Sequence, residues 1–289
     1  MRWRYYLLLP LLIVCSWTSS CFGQSSGQQS SVVVGGPSID WAAPKTGVPK
    51  GKVEAFEVND TQYKIKRKVW VYTPAITANE SADRLIVSFD GQDYVKDIPS
   101  PTILDNLIAA GKIYPAIQVF VDNSTDRLGD LANHQKFADF VAADLITWIR
   151  TNYHVGNDPA KTVLCGYSAG GLGAAYVAFR HPKLFGNVLS QSGAFWRGDE
   201  GSSSGFEWLT DQYQRSAKLN IRFYLVVGGA ETTANMSGKS MVETNRHLRD
   251  VLKAKGNDVA FFEFPSGVHS PDWWTKELPD GLIYLLEKR

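Results

Sequence analysis

Short apolar runs alternate with amphipathic segments along most of the chain. Residues 68–72 alternate apolar and polar side chains, whereas residues 85–89 and 116–121 are almost continuously apolar. The alternation predicts a strand with one face in water, and the short continuous runs predict strands that are buried on both faces. Between these two runs, residues 102–110 place their apolar side chains on one helical face, and Gly111 follows where a helix C-terminal cap is favoured.

The second half of the chain continues this alternation. From Phe137 to Ile149, apolar residues recur with the spacing of an amphipathic helix. The elements predicted after it are strand 162–165, helix 169–180, strand 187–190, strand 223–227, helix 241–253, strand 260–264 and helix 280–288. Strands that are separated by helices predict an α/β fold, with a mostly parallel central sheet and helices on both of its faces.

The N-terminal region has a different pattern. Arg2 and Arg4 precede an apolar run over residues 7–14, and small and polar residues lead from there to Gly23. This order predicts a secretory signal peptide over residues 1–23, and therefore export to the periplasm or the medium. The apolar run is too short to span a bilayer. A lipoprotein site at Cys21 is disfavoured, because a threonine stands where such sites prefer an aliphatic residue.

The next segment has the composition of a linker. Residues 24–50 are rich in Ser, Gln, Gly and Pro and have no sustained period, which predicts a flexible connection. The rest of the chain contains no internal repeat and no second change of composition. The simplest organisation is therefore one domain over residues 51–289.

The composition of the chain is that of an ordinary globular protein. Of its 289 residues, 44% are hydrophobic and 20% are charged, and the formal net charge is +1. This charge favours neither nucleic acid nor an acidic membrane as a partner, and no stable membrane insertion is expected. Cys165 is the only cysteine after the predicted leader, and its position at the end of an apolar run predicts a buried core residue. No histidine or cysteine pair has metal-ligand spacing and no lysine completes a phosphate loop, so neither a metal nor another cofactor is expected, while the oligomeric state stays open.

The strongest chemical motif is a G-x-S-x-G sequence from Gly166 to Gly170. It lies directly after the predicted strand 162–165 and directly before the predicted helix 169–180. A sharp strand-to-helix turn of this kind exposes a serine hydroxyl beside a helix N-terminus, where free N–H groups favour negative charge. The motif therefore predicts Ser168 as a nucleophile.

A serine nucleophile needs a general base, and the chain order narrows the choice. In hydrolases that use this turn, the histidine follows the serine and the acid in chain order. His181 lies too near the end of the predicted helix 169–180, which leaves His247 and His269. His247 lies among charged residues in the predicted helix 241–253 and is interpreted as a solvated surface residue. His269 lies in a loop after the predicted strand 260–264, where parallel sheets place their chemistry. His269 is therefore the predicted base.

The supporting acid is expected on the loop after the preceding strand. Glu231 follows the predicted strand 223–227 and is the preferred candidate, because its carboxylate would hold the imidazole in one tautomer. Glu243 and Asp250 on the predicted helix, and Asp272 near the histidine, remain alternatives.

Two backbone amides are expected to stabilise the oxyanion. One is Ala169, the residue after the nucleophile, and the other should come from the loop that follows the strand at residues 85–89. Gly91 lets this loop turn inwards, so Gln92 is the predicted second donor.

Several stretches resemble the enterochelin (enterobactin) esterases and related feruloyl esterases. They are Phe89-Asp90-Gly91, residues 103–108, Phe120-Val121-Asp122, residues 127–131, residues 166–171, residues 189–193 with Phe195-Trp196, and Gly267-Val268-His269. The resemblance runs from about residue 51 to the C-terminus. It implies an α/β-hydrolase fold and hydrolysis of carboxylic esters by Ser168 and His269, with Glu231 in support and with Gln92 and Ala169 as oxyanion donors.

The resemblance also bears on the substrate, since it implies that Arg127 lies near it. Aromatic residues are predicted in loops at the strand ends, namely Trp196, Phe206, Trp208, Trp273 and Trp274. Of these, Trp196 and Trp273 are the predicted substrate contacts, because indole rings stack on aryl and sugar rings. The expected substrate is a feruloyl or acetyl ester of a polysaccharide, or a siderophore ester. An acyltransferase using the same serine and a non-catalytic carbohydrate-binding module on a hydrolase scaffold are the alternatives.

Overall fold

The computed structural model describes residues 40–76, 81–202 and 204–288. The strands are β1 (Lys52–Asp60), β2 (Ile65–Thr73), β3 (Arg84–Ser88), β4 (Ala116–Val121), β5 (Thr162–Tyr167), β6 (Asn187–Gln191), β7 (Arg222–Gly228) and β8 (Val259–Phe264). The helices are α1 (Gly91–Lys96), α2 (Ser100–Ala109), α3 (Arg127–Leu131), α4 (Gln135–Phe140), α5 (Ile146–Asn152), α6 (Ala169–Arg180), α7 (Trp208–Arg215), α8 (Met241–Ala254) and α9 (Pro271–Leu286). A π-helical turn, Val141–Leu145, joins α4 to α5, and 3-10 turns lie at Pro159–Lys161 and Asp199–Gly201.

The strands of the described residues form one sheet in the order β1-β2-β4-β3-β5-β6-β7-β8. β2 pairs antiparallel with β1 and with β4, and the strands from β4 to β8 in this order are parallel to one another. The mostly parallel sheet predicted from the sequence is therefore confirmed, and β1 adds an edge strand that was not predicted. Because parallel strands end at the same edge, the loops after β3, β5, β6, β7 and β8 meet there.

Helices cover both faces of the sheet, as predicted. In β3, Leu85 and Val87 face a core that they share with residues of α4 to α8, and Ile86 faces a second core shared with residues of α1, α2 and α9. Successive strand residues thus point to opposite faces, and both faces are apolar. Cys165 is buried in the second core, where burial raises the pKa of its thiol to about 12, so the prediction of a buried core residue is confirmed. None of the helices in the described part of the chain combines the length and the apolarity of a membrane span.

The last helix differs from the prediction. It was expected over residues 280–288, but α9 begins at Pro271. Pro271 occupies the first turn, where a missing N–H removes no helical hydrogen bond, and Pro279 lies inside the helix. A proline in mid-helix is costly, and its presence in the sequence made an earlier helix start hard to predict. Trp273 and Trp274, which were predicted in a loop, are therefore residues of α9.

The segment before β1 was predicted to belong to a linker, but residues 40–50 contact the domain. Asn106 on α2 donates hydrogen bonds to the carbonyls of Trp41 (2.7 Å) and Ala43 (2.9 Å). The Trp41 side chain packs against the second core. The predicted signal peptide with Cys21 and residues 24–39 of the linker lie outside the described residues.

Candidate active site

The strand, turn and helix predicted around Ser168 are present. Ser168 lies between β5 and α6 with φ +53° and ψ −120°, a left-handed conformation that is strained for a residue with a side chain. Its N–H donates to the Gln191 carbonyl of the neighbouring strand β6 at 2.8 Å. A Cβ added at Gly166 would collide with the backbone of Gly170, so glycine is required for β5 and α6 to pack this closely. The turn holds the serine at the C-terminal edge of the sheet.

The two predicted amide donors begin neighbouring helices. Ala169 is the first residue of α6, and Gln92 lies in the first turn of α1 directly after β3. The first N–H groups of a helix have no partner within it. Gly91 lets α1 approach β4, because a Cβ there would collide with the backbone at Phe120. Since β3 and β5 are adjacent and parallel, both helix N-termini open at the same edge of the sheet.

His269 and Glu231 form a hydrogen-bonded pair. The Nδ1 atom of His269 lies 2.7 Å from Oε2 of Glu231. The glutamate side chain is only 6% exposed, whereas the histidine side chain is 39% exposed. The other carboxylate oxygen, Oε1, accepts hydrogen bonds from Ser192 Oγ (2.5 Å) and from the Gly228 N–H (3.0 Å). Both oxygens are therefore engaged, and a proton held on Nδ1 leaves Nε2 of the imidazole as the proton acceptor.

Close backbone contact between the loops after β7 and β8 brings this pair together. The N–H of Ala230 donates to the Gly267 carbonyl at 3.0 Å. A Cβ added at Gly228 would collide with the backbone of Gly267, so the loops approach only because both positions are glycine. Glu231 follows one of these glycines and His269 follows the other, which explains why residues far apart in sequence meet.

Trp274 connects the histidine to the serine turn. Its indole stacks on the ring of Tyr167, with centroids 3.9 Å apart and planes at 15°, and it meets the His269 ring edge-on at 5.0 Å. Its Nε1 donates to Ser192 Oγ at 3.4 Å. The histidine is thus held beside the residue that precedes Ser168. Within the described residues, no direct hydrogen bond joins His269 to Ser168.

Arg127 is held in an ion pair at the start of α3. Its Nε and Nη2 atoms donate to the two carboxylate oxygens of Asp90 at 2.5 and 2.6 Å, and Asn123 donates to the same carboxylate at 2.6 Å. Asp90 is buried, and burial raises the pKa of its carboxyl group while the hydrogen bond from Arg127 opposes that rise. The Arg127 guanidinium lies 5.6 Å from the centroid of Tyr167, beside the serine turn.

The predicted aromatic contacts are distributed over several elements. Trp196 lies on the loop after β6, where the Arg197 guanidinium stacks on its ring at 4.4 Å. Trp208, predicted in a loop, begins α7, where its ring packs against Tyr176. Trp273 on α9 contacts Phe264 and carries the Lys276 ammonium over its ring.

Two of the alternative acids, Glu243 and Asp250, and the second histidine have other partners, whereas Asp272 lies in the first turn of α9. Glu243 caps α8 through Ser240, and Asp250 pairs with Arg249. The His247 side chain is partly exposed, and its Nδ1 lies 2.8 Å from Oε1 of the buried Glu207. His247 is thus a partly exposed residue, as predicted, with a buried acidic partner that the sequence did not indicate.

Ser192 and Trp274 are site residues to which the sequence analysis gave no supporting role. Ser192 has φ +48° and follows β6 within the motif at residues 189–193. Few non-glycine residues adopt a positive φ, so this backbone angle distinguishes Ser192. The angle cannot be read from the sequence, and Ser192 was therefore not predicted as a site residue. Within the described residues, no group of three histidine, cysteine or acidic side chains is arranged to hold a metal ion.

A cavity of about 300 Å³ opens beside the histidine. Its lining residues are Ala230, Glu231, Thr233, Asn235, Met241, Val268 and His269. Its apolar members border the imidazole, so it is a candidate site for an uncharged part of a ligand.

Comparison with known proteins gives consistent matches. The model of the family described as "Putative esterase" matches residues 61–285. The chain is 27% identical to the Iron(III) enterobactin esterase of Dickeya dadantii over 91% of its length and 63% of that protein. It is 31% identical to the Iron(III) enterobactin esterase of Escherichia coli strain K12 over 85% of its length and 59% of that protein. The chain thus spans about three fifths of these relatives.

Solved structures of esterases are also similar to this chain. The enterobactin esterase from Shigella flexneri, crystallised in the presence of enterobactin, superposes with a TM-score of 0.73 at 25% identity, over 85% of this chain and 61% of that one. The ferulic acid esterase from the anaerobic fungus Anaeromyces mucronatus superposes with a TM-score of 0.69 at 15% identity, over 84% and 94% of the two chains. These similarities confirm the predicted α/β-hydrolase fold.

Proposed function

The chain belongs to the esterase family whose model it matches over residues 61–285, and from this membership we propose that it hydrolyses carboxylic esters through an acyl-enzyme on Ser168. The observation that carries the proposal is the 2.7 Å contact between His269 Nδ1 and Glu231 Oε2 at the same sheet edge as the strained serine turn. A base whose second nitrogen is held by a buried carboxylate is the arrangement that serine hydrolysis requires.

Acylation begins with proton transfer. His269 takes the hydroxyl proton of Ser168 on Nε2, and the serine oxygen attacks the ester carbonyl. The carbonyl oxygen becomes an oxyanion, which the N–H groups of Ala169 and Gln92 stabilise in the first turns of their helices. Glu231 stabilises the imidazolium without taking its proton.

The intermediate then divides into product and acyl-enzyme. His269 returns its proton to the leaving alcohol, and the ester bond breaks. In the second half of the cycle, a water molecule gives its proton to His269 and attacks the acyl group on Ser168. When the second oxyanion collapses, the bond to Ser168 breaks, His269 returns its proton to the serine oxygen, and the carboxylic acid is released.

The proposed substrate is a siderophore ester, or a feruloyl or acetyl ester of a polysaccharide. The relatives at 27% and 31% identity are Iron(III) enterobactin esterases, which supports the siderophore class. Trp196 and Trp273 are the proposed aromatic contacts. Arg127 is the proposed polar contact, since it adjoins the serine turn and a third of its side chain is exposed.

Export is a further part of the proposal. It is supported by the order of basic, apolar and small residues over positions 1–23. Cleavage after Gly23 would give a mature protein that begins at Gln24. Mass spectrometry of the protein recovered from the periplasm or the medium tests this, and an intact Met1 on protein retained in the cytoplasm would contradict it.

The proposed activity is tested with a fluorophosphonate probe and p-nitrophenyl acetate. Wild type, Ser168→Ala and a control variant, Ser216→Ala, are compared, because Ser216 lies at the end of α7 away from the serine turn. We expect labelling and turnover in wild type and in the control, and loss of both in Ser168→Ala. A folded wild type that neither reacts with the probe nor hydrolyses esters would exclude the proposed nucleophile. Active wild type is then compared on feruloyl, acetyl-sugar and catecholate esters.

A further inference from the structure

Tyr167, the residue before Ser168, forms a hydrogen bond that leads from the serine turn to α1. Its hydroxyl donates to Oδ2 of Asp93, and Asp93 directly follows Gln92 in α1. The contact therefore joins the neighbour of the proposed nucleophile to the neighbour of the proposed second oxyanion donor. No step of the proposed ester hydrolysis uses this hydroxyl.

The bond to Asp93 is one of two side-chain contacts that hold α1 from different directions. The buried Tyr94 donates from its hydroxyl to Oε1 of Gln191, at the end of β6, at 2.8 Å. Asp93 lies about 100° around the helix axis from Tyr94, since an α-helix has 3.6 residues per turn. Contacts in two directions restrict the rotation of a short helix more than either contact alone. The Asp93 contact therefore limits how far the neighbouring N–H of Gln92 can turn.

Both of these contacts lead back to the serine turn. The Gln191 carbonyl accepts the N–H of Ser168 at 2.8 Å, and Tyr167 adjoins Ser168 in the chain. A Cβ added at Gly170 would lie only 2.7 Å from Oδ2 of Asp90, the residue before α1. The turn that carries the proposed nucleophile and the start of α1 are therefore packed directly against each other.

The Tyr167 side chain is itself fixed. Burial raises the pKa of its phenol well above the ordinary value, and the carboxylates of Asp90 and Asp93 raise that pKa further. The hydroxyl thus remains a hydrogen-bond donor over the pH range of an esterase assay. The ring stacks on Trp274 with centroids 3.9 Å apart, which holds its orientation.

Stabilisation of an oxyanion depends on where its donors lie before the reaction begins. A donor is effective when it lies about 2.7–3.1 Å from the position that the oxygen takes in the tetrahedral intermediate. A small rotation of α1 would move the Gln92 N–H out of this range without changing the fold. Binding of the ester, whose carbonyl oxygen carries less charge, would change less than the rate.

We propose that Tyr167 is a positioning residue, whose hydroxyl holds the Gln92 amide in place for the oxyanion through its hydrogen bond to Asp93. The inference rests on the proposed function, with Ser168 as the nucleophile and the Gln92 amide as a donor. It gives the aromatic residue inside the G-x-S-x-G sequence a role that the motif itself does not require.

The test uses variants that break this hydrogen bond from either side. Tyr167→Phe keeps the ring and removes the donor, Asp93→Ala removes the acceptor, and Asp93→Asn keeps an acceptor oxygen without the charge. Tyr72→Phe is the matched control, because Tyr72 on β2 also donates to an aspartate, Asp105 on α2, at 2.7 Å. For each protein, the melting temperature, the kcat and KM for p-nitrophenyl acetate and the inhibition constant of 1,1,1-trifluoroacetone are measured.

The ketone reports on the oxyanion donors without requiring turnover. The Ser168 oxygen adds to its carbonyl carbon, the carbonyl oxygen becomes an oxyanion, and the serine proton passes to His269. The adduct therefore needs the same amide donors as the intermediate of ester hydrolysis.

We expect Tyr167→Phe and Asp93→Ala each to lower kcat/KM about tenfold and to raise the inhibition constant about tenfold, with little change in KM. Loss of a whole oxyanion donor costs about 100- to 1000-fold, and a displaced donor should cost less. The double variant should lose no more than either single variant, because both substitutions break one bond. Asp93→Asn should keep most of the activity, and Tyr72→Phe should keep all of it.

Three results would overturn the positioning role. The first is an unchanged kcat/KM in folded Tyr167→Phe, or in Asp93→Ala where the tyrosine variant does not fold, even if the melting temperature falls. The second is a lower kcat/KM with an unchanged inhibition constant, and the third is losses that add in the double variant. Failure of the proposed function is distinct from these, because the wild type itself would then neither hydrolyse the ester nor react with the fluorophosphonate probe, and the positioning role would fail with it.

Discussion

The imidazole of His269 meets the indole of Trp274 edge-on, with ring centroids 5.0 Å apart and planes at 87°. Glu231 fixes the Nδ1 side of the imidazole, and the tryptophan limits rotation of the ring from a second direction. The same indole stacks on Tyr167, the neighbour of Ser168. Trp274 therefore holds the proposed base in place relative to the serine turn.

Replacing this indole should slow catalysis more than it weakens substrate binding. We expect Trp274→Phe to lower kcat on p-nitrophenyl acetate about tenfold, since an aromatic pair contributes about 0.5–1.5 kcal/mol and 1.4 kcal/mol corresponds to a factor of ten. KM should change little. Trp148→Phe is the control, because that ring lies on α5 and contacts Phe56 and Tyr153, not His269. Equal losses in both variants, or a lower melting temperature with unchanged kcat, would contradict a positioning role.

Ser192 should affect the rate through Glu231. Its hydroxyl donates to Oε1 of the glutamate at 2.5 Å, so Ser192→Ala leaves that oxygen with only the Gly228 N–H as a donor. We expect a loss of about tenfold in kcat, whereas Glu231→Gln should lose 100-fold or more because the imidazole tautomer is no longer held. Steady-state kinetics across pH measures both. A Ser192→Ala variant as impaired as Glu231→Gln would indicate that the serine acts on its own.

The fold was largely predictable because each parallel strand of this sheet is a short apolar run between amphipathic helices. Residues 85–89 and 116–121 predicted β3 and β4 almost to the residue. The errors lie where local signals conflict with packing. β1 is an edge strand with mainly exposed side chains, so it lacks the apolar pattern, and Pro279 concealed the long helix that begins at Pro271.

The part of the site that could be predicted is the part that depends on the order of strands and loops along the chain. Ser168, Glu231 and His269 each follow a strand, and parallel strands end at one edge, so their loops were expected to meet. The contacts of Trp274 were not predictable, because they depend on how the first turn of α9 packs against the loop after β6.

The ion pair of Arg127 with Asp90 should contribute to stability as well as to the site. Removing one partner of a buried pair leaves an uncompensated charge, which costs about 3–5 kcal/mol, and we expect the lower end because part of the arginine side chain is exposed. Arg127→Met should therefore lower the unfolding free energy by about 3 kcal/mol at pH 7. Adding Asp90→Asn should recover part of this loss. Urea unfolding measures both, and a double variant no more stable than Arg127→Met would contradict the mechanism.

Glu277 is a further buried acidic residue, in addition to Glu231. It lies on α9, 2% exposed, and neither of its carboxylate oxygens has a hydrogen-bond partner within the described residues. Burial, followed by the negative charges of Glu231 and Asp280, raises the pKa of this carboxyl group to about 8. The folded protein therefore holds a proton on Glu277 at neutral pH.

This raised pKa predicts a loss of stability as the pH rises. Below pH 4.5, both the folded and the unfolded chain carry the proton on Glu277. Between pH 4.5 and 8, only the folded chain keeps it. The unfolding free energy therefore decreases across this window and levels off above it. At 1.36 kcal/mol per pKa unit, the decrease relative to Glu277→Gln should reach about 5 kcal/mol by pH 8. Urea unfolding of both proteins from pH 4.5 to 8.5 measures it. Glu57→Gln, at an exposed position of β1, is the control and should follow the wild type. If the curves of wild type and Glu277→Gln stay parallel across this range, Glu277 is ionised in the folded protein.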